Sequence, residues 1–550
     1  MGKLERQKAY KSTDPLTTVN RIRKILYDNG IFLIESVQRR EPVTGVCSCR
    51  VIFGDDSLRE LDIGSNGKGM DARYALASAY AEFMERLQNG ATLWKVLGMP
   101  NSVPGAHEVN PKSFKADVKR LMDFAYEDQT IPESLINEVI ENSPNRDVIT
   151  FRNFRTGEAL DIPAALYNKM TGSNGMSAGN NELEAIIQGL SEVFERYALH
   201  KLFLNQITPP EISEDEFEST DVLFRLRLLG SKGLNFRILD CSLGIGLPVI
   251  GLLVEKNNNY HVHFGADPSP ITALERCLTE VFQGRTIEEL PLYPPFDPQG
   301  DLHLMFRNEV LEYTDSSGSV PKWMIEGTPS YSFNGFLHPV TLSDEDDMDY
   351  YMQLLDVLGK ELYVLNCDIL GFPVVRIYVP GLTENHCPKP HDCIIRKVPG
   401  LISSSLRRLP LLTDAEFSSL ALEVKKWLSN QHNISSADEI PEGNFIGFKY
   451  CFPPGRFPVK LWEDSLLIAS LYMRGGLSEE GARLLDTYIT NKKVPADEAA
   501  LLRLRLRSRT LTFTPAQWPS CPDCDNCLAA TRCSRAEVGE LQSRIRNILT

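Results

Sequence analysis

The 550-residue sequence has no surplus of positive charge. Its 58 Lys and Arg face 73 Asp and Glu, for a formal net charge of −15 at pH 7. Binding a phosphate backbone needs clustered excess cations, so a general nucleic-acid binder is excluded. A local basic pocket for a nucleotide is not. No apolar run approaches the roughly 20 residues that cross a bilayer. The opening MGKLERQKAY has no apolar core of a secretory leader, so a cytoplasmic protein with no membrane association is expected. Cysteine is sparse: 12 residues in a chain this long do not make a disulfide scaffold. Eight of them (Cys47, Cys49, Cys241, Cys277, Cys367, Cys387, Cys393 and Cys451) are dispersed and read as reduced thiols. The usual nucleotide loops are missing too. NGKGM lacks the spacing of a P-loop, and GIGLPVIG lacks G-x-G-x-x-G and reads as a turn entering a buried strand.

With 42% hydrophobic residues, the chain has enough apolar material for about two to four domains. Residues 14–29 show helical spacing through Leu16, Val19, Ile22, Ile25 and Leu26, with Asp14 as N-cap and Pro15 at the first helical position. Strands are expected at 31–35, 48–53, 236–240, 248–254, 261–264, 361–368 and 374–379. Residues 90–160, rich in Pro, Asn and charge, look like an insertion. From about residue 409 the pattern turns helical, as at 415–428 and 464–473. The expected division is a domain over 1–400, a helical region over 401–510 and a cysteine-containing tail over 511–550.

An internal repeat carries the chemistry. Ser65-Asn66-Gly67-Lys68-Gly69 precedes ALASAYAEFMER, which ends at Arg86. Ser173-Asn174-Gly175 precedes AIIQGLSEVFER, which ends at Arg196. A weaker copy, ALERCLTEVFQGR, runs from Ala273 to Arg285. The first two read as a glycine-containing turn before a helix that ends in E-x-x-E-R. At about 100° per residue, Ser78, Glu82 and Glu85 share one narrow helix face. Glu184, Gln188, Glu192 and Glu195 fall within about 80° of one another on the same basis. Arg276, Glu280 and Gln283 form a similar stripe. The same helices carry core residues such as Phe83, Ile186, Leu190, Val193 and Phe194, so they are not simply solvated rods.

One E-x-x-E-R stripe alone is ordinarily a solvated face with short-range ion pairs. Three related copies on partly buried helices argue otherwise, because buried carboxylates cost free energy unless cations compensate them. Arg86, Arg196, Arg276 and Lys68 are one source of compensation. Mg2+, a hard ion bound by carboxylates and substrate phosphates, is the other. The Ser-Asn-Gly and Gly-Lys-Gly turns would offer backbone N–H groups to anions. Carboxylates, basic residues and glycine-rich turns together fit metal-assisted phosphate chemistry.

Near the C-terminus, Cys521, Cys524, Cys527 and Cys533 form C-x2-C-x2-C-x5-C, a spacing that fits zinc or an iron–sulfur cluster. The segment ENHCPKPHDC, with His386, Cys387, His391 and Cys393, has ligand types for zinc but reads better as a surface loop.

The stretch TGSNGMSAGNNELEAIIQGLSEVFERYALHK closely resembles the central signature of the YcaO-domain family. SNGKGMDARYALASAYAEFMER and FGADPSPITALERCLTEVFQGR are similar to its earlier and later signatures, and KSTDPLTTVNRIRKIL to its opening helix. The resemblance spans about residues 10–400. It implies an α+β YcaO fold: repeated sheet-and-helix units around a central ATP site, here with a C-terminal helical extension. It further implies that ATP and Mg2+ are used to phosphorylate a backbone amide oxygen of a peptide or protein. Attack by a neighbouring side chain would give an azoline, and attack by a sulfur donor a thioamide. Azoline-forming members end in a proline-rich tail. This chain ends LQSRIRNILT, which favours thioamide or related sulfur chemistry. The helical extension is similar in layout to the enterobacterial branch, whose role in methylthiolation of a ribosomal protein suggests an ATP-binding accessory as the alternative. By resemblance, Lys11 and Thr18 contact the nucleoside and Glu82 and Glu85 bind metal. Asn180, Glu184, Gln188, Glu192, Glu195 and Arg196 form the central metal and phosphate set. Arg276 and Glu280 form the late phosphate and metal pair, and Lys68 and Ser78 line the pocket. A partner modification enzyme or sulfur donor and a homodimer are also expected.

Overall fold

A computed structural model describes residues 4–7, 10–54, 64–91, 103–143, 145–300, 304–305, 308–309, 318–384, 387, 389–394, 401–402, 405, 412–429, 450–451, 464–491, 496–507 and 514–515. Strands and helices are mixed throughout. The strands up to residue 378 are β1 Glu5–Arg6, β2 Leu33–Arg40, β3 Cys47–Phe53, β4 Gly64–Gly69, β5 His107–Glu108, β6 Asp147–Asn153, β7 Ala159–Pro163, β8 Met176–Ala178, β9 Glu211–Ile212, β10 Asn235–Asp240, β11 Val249–Lys256, β12 Asn259–Ala266, β13 Val340–Thr341, β14 Tyr363–Asn366 and β15 Val374–Tyr378. The helices used below are α1 Pro15–Asp28, α2 Ala72–Gln88, α3 Pro111–Ala125, α4 Glu133–Asn142, α5 Ala164–Thr171, α6 Glu182–Leu204, α7 Asp221–Leu228, α8 Pro270–Val281, α9 Lys322–Glu326, α10 Asp344–Leu358, α11 Asp414–Ser429, α12 Asp464–Arg474, α13 Ser478–Asn491 and α14 Ala496–Arg507.

Three antiparallel sheets form the framework: β2-β3-β4, β12-β11-β10-β9, and a larger one in the order β5-β6-β14-β15-β8 with β7 beside β6. The stretch expected as an insertion supplies α3, α4 and β5–β7, and β6 pairs with β14 inside that larger sheet. Each sheet ends in a strand followed by a helix that packs on it: β4 then α2, β8 then α6, β12 then α8. This strand–helix pair is the structural content of the sequence repeat.

The glycines of the repeat act differently from the expectation. Gly67, Lys68 and Gly69 lie in strand β4, not in a turn. A Cβ on Gly67 would stand 2.1 Å from the Ala75 carbonyl oxygen, and one on Gly265 2.4 Å from that of Ala273. These glycines let each helix lie directly on its strand. Gly175, at φ +82, does sit in a turn, where a Cβ would meet the Ile377 carbonyl oxygen at 2.4 Å. Side chains cap each of these helix N-termini. Asp71 caps Arg73 and Tyr74, Asn181 caps Glu184, and Ser269 caps Thr272.

The central helix α6 is buried along most of its length. Ala185, Leu190, Val193, Phe194 and Leu202 join residues of β11, β12, β15 and α10 in one core. The opening helix begins as expected, with Asp14 accepting from the Leu16 and Thr17 amides. Toward the C-terminus, α11–α14 pack on one another around Phe417, Val424, Ile468, Leu471 and Leu485. No helix among the described residues is long and apolar enough to cross a membrane.

Candidate active site

Helix α6 carries one polar stripe through an otherwise apolar environment, and other elements bring complementary groups to it. At its N-terminal end, Glu184 accepts from the Ser12 amide (3.1 Å) and hydroxyl (2.7 Å) and lies 3.7 Å from Lys11 Nζ. Asn180 Nδ2 donates to Glu184 (3.1 Å), and Thr18 Oγ1 donates to Asn180 Oδ1 (2.6 Å). One turn along, Gln188 accepts from Arg276 of α8 at 2.6 Å, and Asp267 pairs with the same guanidinium nitrogen at 3.1 Å. Further along, Glu195 accepts from the Ala266 amide at 3.1 Å, while Lys68 of β4 pairs with Glu280 of α8. Glu192 pairs with Arg196 at 2.6 Å, and on α2 Arg86 reaches both Glu85 (3.5 Å) and Glu82 (3.7 Å).

The residues expected from three distant segments therefore come together in one cluster. From Glu184 to Arg196 the stripe is about 18 Å long at 1.5 Å per residue. One expectation needs correction. Gln283 lies beyond the end of α8 at Val281, so the late stripe reduces to Arg276 and Glu280. Ser78 is half-buried one turn ahead of Glu82, and among the described residues no hydrogen bond ties it to the cluster.

The electrostatics follow from crowding like charges in a partly dry space. Burial, reinforced by Glu192 and Glu82, pushes the Glu85 carboxyl up to about 8 against the pull of Arg86. Burial, reinforced by Glu192, pushes Glu195 up to about 7 against Lys68 and Arg276. Burial also lowers the Lys68 ammonium, although Glu195 and Glu82 favour its charge. Glu184 goes the other way: burial alone would raise it, but Lys11 and the Ser12 hydroxyl and amide hold it below the usual carboxylate range. One end of the stripe is thus satisfied within the protein, and the other is electrostatically strained. Arg276 Nε is buried with no hydrogen-bond partner among the described residues. Strained carboxylates beside an orphaned guanidinium N–H fit a divalent cation bridging to an anion such as phosphate.

Sequence reasoning missed Ser12 and Asp267. Ser12 stands beside Lys11, and Asp267 lies in the quoted FGADPSP just before the N-terminus of α8, so both were in view without a spacing to mark them. In the ENHCPKPHDC segment Lys389 and His391 are exposed, as in the surface loop expected, but the two thiols turn inward. Cys387 and Cys393 are buried, and the Tyr126 hydroxyl lies 3.1 Å from Cys393 Sγ. Its two thiols pack into the core of α3 and α4, while His391 is exposed and His386 lies outside the described residues. Cys521, Cys524, Cys527 and Cys533 also lie outside the described residues.

A family model described as YcaO cyclodehydratase, ATP- and Mg2+-binding, matches residues 66–383. The chain belongs to the YcaO family. The match takes in the first strand–helix pair from Asn66 onward, the other two pairs whole, and the whole acidic stripe. Among relatives, the ribosomal protein S12 methylthiotransferase accessory factor YcaO of Escherichia coli is 30% identical over 387 residues, covering 67% of this chain and 64% of its own. An uncharacterized Haemophilus influenzae protein is 30% identical over 374 residues, 64% of this chain and 62% of its own. The matches thus span under two thirds of both relatives. Among solved structures, a heterocyclase in complex with substrate and cofactor aligns at TM-score 0.46 and 18% identity, over 70% of this chain and 54% of its own. YcaO from Methanopyrus kandleri bound with AMPPCP and Mg2+ aligns at TM-score 0.41 and 20% identity, over 68% and 93%.

Proposed function

We propose that this YcaO protein uses ATP and Mg2+ to phosphorylate the oxygen of a peptide backbone amide, so that a nucleophile can attack the amide carbon. The observation that carries this reading is the convergence of Glu82, Glu85, Glu192, Glu195 and Glu280 with Lys68, Arg196 and Arg276 in one charged cluster. The carboxylates would hold Mg2+, which supplies charge neutralisation for phosphates. Arg276, fixed by Gln188 and Asp267, would offer its remaining N–H groups to a phosphoryl group. Lys11, Thr18, Asn180 and Glu184 form the nucleoside end. The γ-phosphoryl group passes to the amide oxygen and ADP leaves. The nucleophile then adds at carbon, and phosphate departs with that oxygen. A sulfur donor as nucleophile gives a thioamide or related product, which we favour over azoline formation. Catalytic roles fall to Glu192, Glu195, Arg196 and Arg276.

A second reading is suggested by the printed role of the Escherichia coli relative: ATP binding that assists another modification enzyme, with α11–α14 as the contact region. Homodimerisation and a cytoplasmic site of action are parts of the proposal still to be measured. Both readings require ATP and Mg2+ to bind, and a ligand held only by the native state raises its melting temperature. The first test is therefore a thermal melt with millimolar ATP and Mg2+ together. No shift sinks both readings. Phosphate release separates them, and 18O carried from a labelled substrate amide into phosphate establishes amide activation.

A further inference from the structure

Short stretches near the N-terminus tie together the two helices that frame the cleft. Arg6 donates to Thr272 Oγ1 at 2.9 Å and to Glu275 Oε2 at 2.8 Å, both on α8, the helix of Arg276 and Glu280. Lys11 and Ser12 reach Glu184 at the start of α6. Tyr10 falls between these anchors. Its ring meets Tyr74 of α2 edge-on, with centroids 5.1 Å apart and planes at 73°. Arg6 Cζ and Lys11 Nζ stand 5.4 and 5.6 Å from its centroid. The ring is still only half-buried. Arg6, which stands over this ring, is itself anchored on the helix that carries Arg276. A large aromatic is thus held by an aromatic neighbour and two cations, beside both the nucleoside end and the phosphate arm of the cleft. An ordered aromatic that keeps an exposed surface in such a place is suited to cover a flat, aromatic ligand.

We infer that Tyr10 is a nucleotide-binding residue of this chain, its ring forming the wall between the Lys11–Glu184 end and Arg276 against which ATP rests. The inference depends on the ATP reading above and adds a residue whose contribution is ring contact rather than charge.

Isothermal titration of the full-length protein with ATP in the presence of Mg2+ tests it, using Tyr10→Ala, Tyr10→Phe and Tyr10→Leu. Loss of the ring in Tyr10→Ala should weaken ATP binding by about 10- to 100-fold, the range of one aromatic stacking contact. Tyr10→Phe should stay within about threefold of wild type on the same basis, because it keeps the ring. If Tyr10→Ala does not fold, Tyr10→Leu keeps apolar bulk against Tyr74 but not the ring, and should show the same direction. A purely structural role would lower the apo melting temperature of the variants without a selective loss of ATP affinity. ATP affinity unchanged in both Tyr10→Ala and Tyr10→Leu overturns the inference, as does an equal loss in Tyr10→Phe. If wild type itself fails to bind ATP, the ATP reading falls and this inference with it. If wild type binds and the variants bind equally, the inference about Tyr10 alone fails.

Discussion

Replacing Glu195 by Gln separates a functional acidic stripe from a structural one, because the two roles move stability and turnover in opposite directions. Glu195 lies among Glu192, Lys68, Arg196 and Arg276, and its carboxyl is raised from 4.5 to about 7 by burial first and by Glu192 second. At about 1.4 kcal/mol per pH unit, holding this carboxylate ionised costs the folded apo protein up to about 3 kcal/mol, and less where cleft water screens it. The sign follows from proton binding. Between pH 4.5 and about 7 the folded state keeps a proton that the unfolded chain has released, so apo stability falls as pH rises through that window. Gln removes the charge, keeps the side-chain length, and its carbonyl still accepts from the Ala266 amide. Glu195→Gln should therefore melt a few degrees higher than wild type at pH 8, with the gain vanishing below pH 4.5. Its ATP turnover should fall by roughly 100-fold or more, since Mg2+ would lose a ligand at the transferring phosphate. Glu423→Gln, on α11 away from the stripe, should change neither quantity. Melts from pH 4 to 8 and phosphate release on the same samples decide the matter. A lower melting temperature at pH 8, or near-normal turnover, would refute the reasoning.

Three further outcomes are expected. Gly67→Ala places a Cβ 2.1 Å from the Ala75 carbonyl oxygen and 2.2 Å from the Ala79 amide nitrogen, so α2 must lift off β4. It should cost about 3 kcal/mol in denaturant titrations, and a neutral result would mean that the strand–helix contact is not tight. Arg276→Lys could still hold Gln188 and Asp267 through its single nitrogen but has no N–H groups where the guanidinium places Nε and Nη1, so ATP affinity should drop about tenfold by calorimetry with the apo fold retained. The cysteine spacing at 521–533 should bind close to one metal site per chain. Elemental analysis after anaerobic purification, with and without Cys521→Ser, checks this, and protein free of zinc and iron removes the idea.

Some of this was legible in the sequence because it depends on local periodicity. The spacing of Glu184, Gln188, Glu192 and Glu195 places four polar side chains on one helix face whatever that helix packs against. Asp14-Pro15 specifies a helix start through its own cap. The recurrence of Ser-Asn-Gly followed by E-x-x-E-R marks a repeated unit, and its residues carry the family resemblance that the match over 66–383 bears out. The glycines were harder to read. In sequence, Gly67-Lys68-Gly69 has the composition of an anion-holding turn, but β-pairing of Cys47, Ser48 and Cys49 with Gly69, Lys68 and Gly67 draws it into a strand. The absent side chains then serve helix packing. Asp267 and Ser12 mattered only once α8 and the N-terminal residues met α6, because a single Asp or Ser carries no period. The same holds for Cys387 and Cys393: two prolines suggested a surface loop, yet their thiols lie in the core beside Tyr126. Local spacing thus determined which side chains share a helix face. Only tertiary packing, which brings residues hundreds of positions apart into one low-dielectric cleft, decided which carboxylates are neutralised and which are left strained for a cation.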